Sequence, residues 1–304
     1  MLNTQPIKHG NRSLVVGADG QIGRVLLTKL AGGGTTVLGT CQQNPPLAGC
    51  IHLELTDRPE LWSLPDSIGT AYLCAAIASQ DACRNDPIGS RRVNVCHTVE
   101  LARRLVTDGA FVVFLSSSLV FDGSMACCDA ARPVSPKTEY GRQKVEAERE
   151  LLSLPSTAVV RLTKVLGPGW PLGKKWRAAL ESGLPIHPFS DMAMAPVSID
   201  FAVDVLAKIG HAGTAGIYQV SADRDVAYAE AAARLVRRLG AGLSLLQPAA
   251  AAGAGILPDS IPTHTTLDAS RLRAEFGLEP PSVWAAIDCA FGLTPSMEIH
   301  DEFV

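Results

Sequence analysis

A chain of 304 residues with 47% hydrophobic content and a positive mean hydropathy has enough apolar surface for one large or two modest packed domains, which excludes a disordered or fibrous protein. A formal charge of −3 and a pI near 6.2 give no general basic field, and no basic run is interleaved with aromatics, so nucleic acid is excluded as a partner. Eight cysteines fall mostly inside apolar segments without Cys-x-x-Cys spacing, which reads as reduced thiols of a cytoplasmic protein rather than disulfides or a zinc site.

Residues 1–12 are polar and lack the apolar core of a signal peptide, and no apolar run approaches a membrane span, so no membrane is expected. Residues 13–16 then make a short buried strand that runs into Gly17-Ala18-Asp19-Gly20-Gln21-Ile22-Gly23, and a helix is predicted over 24–30. Strand, glycine turn and helix in that order bring backbone N–H groups and a helix N-terminus towards a pyrophosphate. Gly17, Gly20, Gln21, Ile22 and Gly23 are therefore candidate cofactor contacts. A second strand, 35–39, leads into Thr40-Cys41-Gln42-Gln43, where an acidic side chain would select NAD. No carboxylate stands there, which favours NADPH with Thr40 as a contact; no arginine stands there either, so NADH stays open. Apolar runs at 50–55, ending in Leu55, and at 71–76 supply the third and fourth strands. Cys74, Ala75 and Ala76 are small enough for a flat cofactor to lie against the backbone.

A helix is predicted over 90–106, with Glu100 and Arg104 spaced for an exposed ion pair and Asn94 a lone polar residue among apolar ones. The most strand-like run, 110–115, empties into Ser116-Ser117-Ser118. In parallel α/β sheets the ligand crevice lies at such strand ends, so these hydroxyls are well placed to act. A turn-rich loop follows, and then Glu139-Tyr140-Gly141-Arg142-Gln143-Lys144 opens a helix reaching 152. Four residues of spacing put the Tyr140 phenol and the Lys144 ammonium on one face, where a cation favours the phenolate, although the spacing alone also fits a surface pair. Residues 157–162 close a regular alternation of strand and helix, the signature of an α/β, Rossmann-like doubly wound parallel sheet. This places a dinucleotide-binding domain at 1–166. After Gly167-Pro168-Gly169 the chain is irregular, and 167–304 reads as a smaller C-terminal substrate-binding lobe, with part of 197–240 packing back on the first domain. Helices are expected at 199–209, 228–239, 268–276 and 282–291, a short strand at 217–220 and a flexible loop at 248–255.

In this order and spacing the chain resembles the extended short-chain dehydrogenase/reductases, of the dTDP-4-dehydrorhamnose reductase group. The landmarks that carry the likeness are the Gly17 to Gly23 turn, Cys74-Ala75-Ala76, Val93-Asn94-Val95, Ser116 to Gly123, Tyr140-x-x-x-Lys144, Arg161, Ala195-Pro196-Val197-Ser198 and Leu267 to Leu272. The resemblance implies that Tyr140 gives a proton to a substrate carbonyl as the nicotinamide delivers hydride. It also implies that Lys144 lowers the Tyr140 phenol and holds the nicotinamide ribose, that Ser117 polarises the carbonyl, and that Asn94 helps hold the site together. Two departures bear on substrate. Ser118 and Leu119 replace the Asp and Tyr that meet the sugar, and Arg161-Leu162-Thr163-Lys164 replaces Arg-Thr-Ser-Trp, losing an aromatic wall and gaining a cation. Lys164 is either a contact for an anionic substrate group or a solvated lysine. The acidic metal ligands of some relatives have no counterpart, so no metal is assigned. The implied activity is NADP(H)-dependent reduction of a keto group on a nucleotide-linked deoxysugar or related metabolite, a homodimer being left open. The alternatives are an epimerase or dehydratase that retains NAD, and a non-catalytic regulatory subunit like the β subunit of methionine adenosyltransferase, which binds a partner enzyme.

Overall fold

A computed structural model describes residues 12–43 and 46–293; most of the polar N-terminal segment and the end of the predicted lobe, 294–304, lie outside the described residues. β1 (Arg12–Val16) passes through the glycine turn into α1 (Gln21–Gly32). β2 (Thr36–Cys41) and β3 (Cys50–His52) follow, then β4 (Ile68–Leu73). The second strand runs two residues beyond the sequence reading because β3 pairs with its end, Thr40 opposite Ile51 and Cys41 opposite His52. Thr40 is thereby a strand residue and not a loop residue.

The single helix expected over 90–106 is a broken path. α2 (Gln80–Asn85) and α3 (Pro87–Arg91) precede a π-helical turn, Arg92–His97, and α4 (Thr98–Thr107) completes it. Asp86 caps α3 by accepting from Gly89 N–H, and Pro87 takes the first helical position, where its missing N–H costs nothing. The Glu100–Arg104 pair forms as expected, at 2.9 Å.

β5 (Phe111–Ser117), a 3₁₀ turn at Ser118–Val120, α5 (Glu139–Leu152) and β6 (Thr157–Leu162) follow. β7 (Val165–Leu166) leads to α6 (Pro171–Glu181), a helix where the sequence pattern read as irregular. Pro171 again sits in the first turn, and Gly173 is needed because Phe291 and Trp170 pack against its Cα. β8 (Ala193–Met194), β9 (Val197–Ser198), α7 (Ile199–Ala212), β10 (Gly216–Val220), β11 (Val226–Ala227), α8 (Tyr228–Leu239), α9 (Ser270–Phe276) and α10 (Val283–Phe291) follow among the described residues. The 248–255 segment, expected as a flexible loop, is anchored in its first half. Ala249 exchanges backbone bonds with Pro188 and Ser190, Asp191 accepts from Ala251 N–H, and Ala251 is fully buried.

Seven strands form one sheet in the order β10-β6-β5-β4-β1-β2-β3, every pair parallel. Successive residues of each strand face opposite layers. Val15, Val113 and Val160 pack with α1 and α7, while Leu14, Val112, Phe114 and Val159 pack with α4 and α5. This is the doubly wound Rossmann-like architecture that the alternation predicts. β10, the outermost strand, is covered by α9, whose Arg271 donates to the Ile217 and Ala215 carbonyls and lies 3.8 Å from the Tyr218 ring centroid. Two small sheets, β7 with β9 and β8 with β11, lie beyond β6 in sequence. All eight cysteines are unpaired, and no helix among the described residues is long and apolar enough to cross a membrane.

Candidate active site

Strand order reverses between β1 and β4, and a crevice of about 360 Å³ opens there at the C-terminal strand ends. Topology requires this. The crossovers leaving β1 and β4 turn in opposite directions and cannot fill the gap between them. Gly17 and Gly20 line the crevice on one side, Thr40 and Leu55 on another, and Cys74, Ala75 and Ala76 on the third. Ile77 and Val93 also form its wall; Ile77 was not marked in the sequence, because an apolar wall residue reads as core, and Val93 only as part of the Val93-Asn94-Val95 landmark.

Gln21, Ile22 and Gly23 form the first turn of α1. Gly20 caps that helix with no side-chain bond, in contrast to Thr138 on α5 and Ser198 on α7, so the first-turn amides of α1 are open to an anion. A β-carbon on Gly23 would fall 2.2 Å from the Gly17 carbonyl oxygen, so only glycine lets the helix approach the turn. The Gly23→Ala variant is expected to lose at least about tenfold in dinucleotide affinity, read by fluorescence titration, because the turn must move away from the helix end. Thr40 anchors the same turn from below, its hydroxyl accepting from Gly17 N–H at 3.2 Å and its carbonyl from Ala18 N–H at 2.7 Å. These features fit a dinucleotide, whose pyrophosphate the open amides would hold.

Asn94 does not reach the crevice. It is 1% exposed in the π-helical turn, and its amide accepts from Ile77 N–H at 2.8 Å and donates to Ile77 C=O at 3.0 Å and Gln143 Oε1 at 2.8 Å. It thus fixes a wall residue and ties that wall to α5.

α5 carries Tyr140, Lys144 and Glu148 one turn apart on a single face. A β-carbon on Gly141 would lie 2.3 Å from Leu119 C=O, so glycine lets this helix press on the turn after Ser117 and brings Tyr140 beside it. Lys144 is 3% exposed; its ammonium donates to Leu115 C=O at 2.8 Å and lies 4.5 Å from the Phe114 ring centroid and 5.6 Å from that of Tyr140. Burial pushes the lysine down to about 8, against the opposing pull of the Glu148 carboxylate. Burial likewise holds the Tyr140 phenol above its ordinary value. The net direction is therefore upward, where the Lys144 cation alone was expected to bring it down. The ammonium is drawn towards Leu115 and Phe114, and desolvation outweighs its effect on the phenol. Among the described residues the Tyr140 hydroxyl takes no protein hydrogen bond. Ser117 Oγ accepts from Leu119 N–H at 3.2 Å, which leaves its own hydrogen to donate.

Glu148 was not marked by the sequence reading, since a glutamate in a charged helix looks solvent-facing. It is buried instead, bound by Arg161 of β6 through Nη2 at 2.7 Å and Nε at 3.1 Å, and by the hydroxyl of Ser116. Only the pairing of β5 with β6 brings these residues under the site.

Ser117, Ser118 and Lys164 line a second pocket of about 180 Å³ with Gln80, Leu119 and Tyr228. Gln80 was also missed; its Oε1 is buried without a protein partner among the described residues. The sequence reading expected Lys164 to come with the loss of an aromatic wall. The structure supplies an aromatic lining residue from elsewhere, Tyr228, with Trp170 behind it; the two ring centroids lie 5.6 and 5.9 Å from the ammonium.

A dinucleotide crevice at the switch point, flanked by a buried Tyr-x-x-x-Lys helix and a serine strand end, defines an NAD(P)-dependent oxidoreductase of the short-chain dehydrogenase/reductase type. The RmlD substrate binding domain model matches residues 11–291, and the chain belongs to that family. It is 30% identical to the dTDP-4-dehydrorhamnose reductase of Streptomyces griseus over 90% of this chain and 91% of that one. It is 26% identical to the probable low-salt glycan biosynthesis reductase Agl14 of Haloferax volcanii over 92% and 98%. A methionine adenosyltransferase 2 subunit beta of Xenopus tropicalis is 29% identical over 52% of this chain and 47% of its own length. The dTDP-4-dehydrorhamnose reductase of Bacillus anthracis in complex with NADP superposes with a TM-score of 0.78 at 19% identity, covering 93% of this chain and 98% of that one, which shows the fold.

Proposed function

We propose that the chain reduces a keto group on a nucleotide-linked deoxysugar with NADPH, residues 1–166 holding the dinucleotide and 167–304 mainly the substrate. The observation that carries the reading is the buried face of α5, which sets Tyr140 and Lys144 against the end of β5 beside Ser117. The nicotinamide, when bound, supplies hydride. Tyr140, kept protonated by burial, gives its hydroxyl proton to the oxygen of the carbonyl being reduced. Ser117 donates to that same oxygen and stabilises the charge developing on it. Lys144, charged below about pH 8, stabilises the phenolate left when the proton has gone, and its remaining N–H donors would hold the ribose hydroxyls of the dinucleotide. Asn94 acts through Ile77 as a positioning residue. The eight unpaired cysteines suit a reducing compartment, and we place the activity in the cytoplasm.

The relatives named as reductases along most of their length support a sugar-nucleotide substrate. Stopped-assay turnover of a panel of dTDP- and UDP-linked 4-keto sugars with NADPH tests it; a protein that purifies with bound NAD and consumes no NADPH overturns it in favour of an epimerase. The absence of a carboxylate between Thr40 and Gln43 supports NADPH, and the Kd for NADPH is expected to be at least about tenfold below that for NADH. A tenfold preference for NADH would reverse the assignment.

A further inference from the structure

We infer that Lys164 makes this an enzyme for acidic substrates, by binding an oxyanion within one ring-length of the keto carbon. The inference rests on the proposed reductase reading and names the substrate class of the same pocket.

Lys164 follows β6 by two residues, and Leu162, the last residue of that strand, pairs with Ser117. At roughly 3.3 Å per strand residue, the lysine backbone stands about one sugar ring beyond the hydroxyl that meets the carbonyl. That backbone is fixed on both sides. Thr163 N–H donates to Val220 C=O at 3.0 Å, the Thr163 hydroxyl to Ala195 C=O at 2.6 Å, and Lys164 C=O accepts from Val197 N–H at 2.9 Å. The side chain is steered by the Trp170 and Tyr228 rings, whose centroids are 6.2 Å apart. The rings belong to one aromatic cluster with Trp176 and Phe291, which packs Trp170 in place behind Tyr228.

Charge decides what the lysine can recognise. Lys164 makes no ion pair among the described residues, and no lining residue of this pocket carries a carboxylate. Among the described residues it is therefore the one formal charge on the wall, in a site whose other groups are hydroxyls, an amide and apolar side chains. Lys164 is solvent-exposed, and its ammonium is held 5.9 and 5.6 Å from the Trp170 and Tyr228 ring centroids, where an incoming anion can reach it. The pocket volume of about 180 Å³ lies below the ~300 Å³ at which drug-sized ligands begin to fit, so it holds a ring and its substituents while the rest of a sugar nucleotide lies outside. The oxyanion is accordingly a carboxylate on the ring or the phosphate that links directly to it.

Calorimetric titration of wild type, Lys164→Met and Lys164→Arg with UDP-glucose, UDP-glucuronic acid and dTDP-glucose, in the presence of NADP⁺, tests this without relying on turnover. Methionine keeps the stem between the rings and removes only the charge. A loss of about tenfold or more for UDP-glucuronic acid alone assigns the ring carboxylate; the same loss for all three assigns the linking phosphate. Lys164→Arg is expected to retain affinity within a few-fold. Equal affinities of wild type and Lys164→Met for all three, or no binding of any by wild type, overturns the inference. Failure of the reductase reading would show separately, as turnover that survives loss of the Tyr140 hydroxyl.

Discussion

Tyr140→Phe is expected to lower kcat by about 10³-fold while leaving the Kd for NADPH within about twofold, because it removes the proton donor and almost no contact area. The hydroxyl takes no protein hydrogen bond among the described residues, so nothing in the fold depends on it, and the variant should unfold at the wild-type temperature. The pH dependence of the wild-type reaction follows from the same face of α5. Tyr140 is held above its ordinary value by burial, and so it remains a proton donor throughout the working range. Lys144 is pushed down to about 8, so in the reductive direction kcat is level below that pH and falls as pH rises through it, when the ammonium is lost. Steady-state kinetics across pH 6 to 10, a range set about that value, check both statements. Near wild-type turnover by Tyr140→Phe would end the mechanism, and a profile flat through pH 8 would remove Lys144 from it.

Glu148→Leu is expected to cost about 3–5 kcal/mol of stability, measured by urea unfolding, because it leaves the Arg161 guanidinium buried without its carboxylate. The pair is 3% and 4% exposed, so solvent does not screen the loss. Arg161 also donates to Ala130 C=O at 3.1 Å and lies 5.1 Å from the Phe121 ring centroid, which holds it in place when its partner is removed. The double variant Glu148→Leu/Arg161→Met should recover most of that loss, since it leaves no uncompensated charge. A milder change separates structure from catalysis. Glu148→Gln keeps the shape but removes the carboxylate that opposes the effect of burial on Lys144, so the falling limb of the pH profile should move below about 8. A single variant that loses under about 1 kcal/mol would show that water reaches this pair, and an unmoved limb would show that Glu148 does not act on the lysine.

The two results depend on residues that were legible to different degrees. Tyr140 and Lys144 announce themselves, because a spacing of four on a predicted helix after a serine strand end is a local pattern. The glycine turn is local too, and strands such as Thr157–Leu162 and helices such as Tyr228–Leu239 have the bounds their periodicity predicts. Glu148, Gln80 and Tyr228 are not legible in this way, and Arg161 stood out only as a landmark, without its partner. Each looks ordinary in its own segment and becomes part of the site only through a partner distant in the chain. The π-helical turn at Arg92–His97 was missed for a related reason, since nothing in its composition separates it from an α-helix; its geometry lets Asn94 grip Ile77 and Gln143 together.

By itself, then, the sequence determined the alternation of strand and helix, the glycine turn and the Tyr-Lys face, because periods of two and 3.6 and turn chemistry act within a few residues. Tertiary structure alone decided the electrostatics of that face. Whether the Tyr140 phenol ends above or below its ordinary value depends on how deeply it is buried and on where the Lys144 ammonium finds a carbonyl, and these are set by packing α5 on β5 and β6. It also decided the substrate wall, where Trp170 and Tyr228 come from two separate segments to flank the cation that the sequence showed only as a departure.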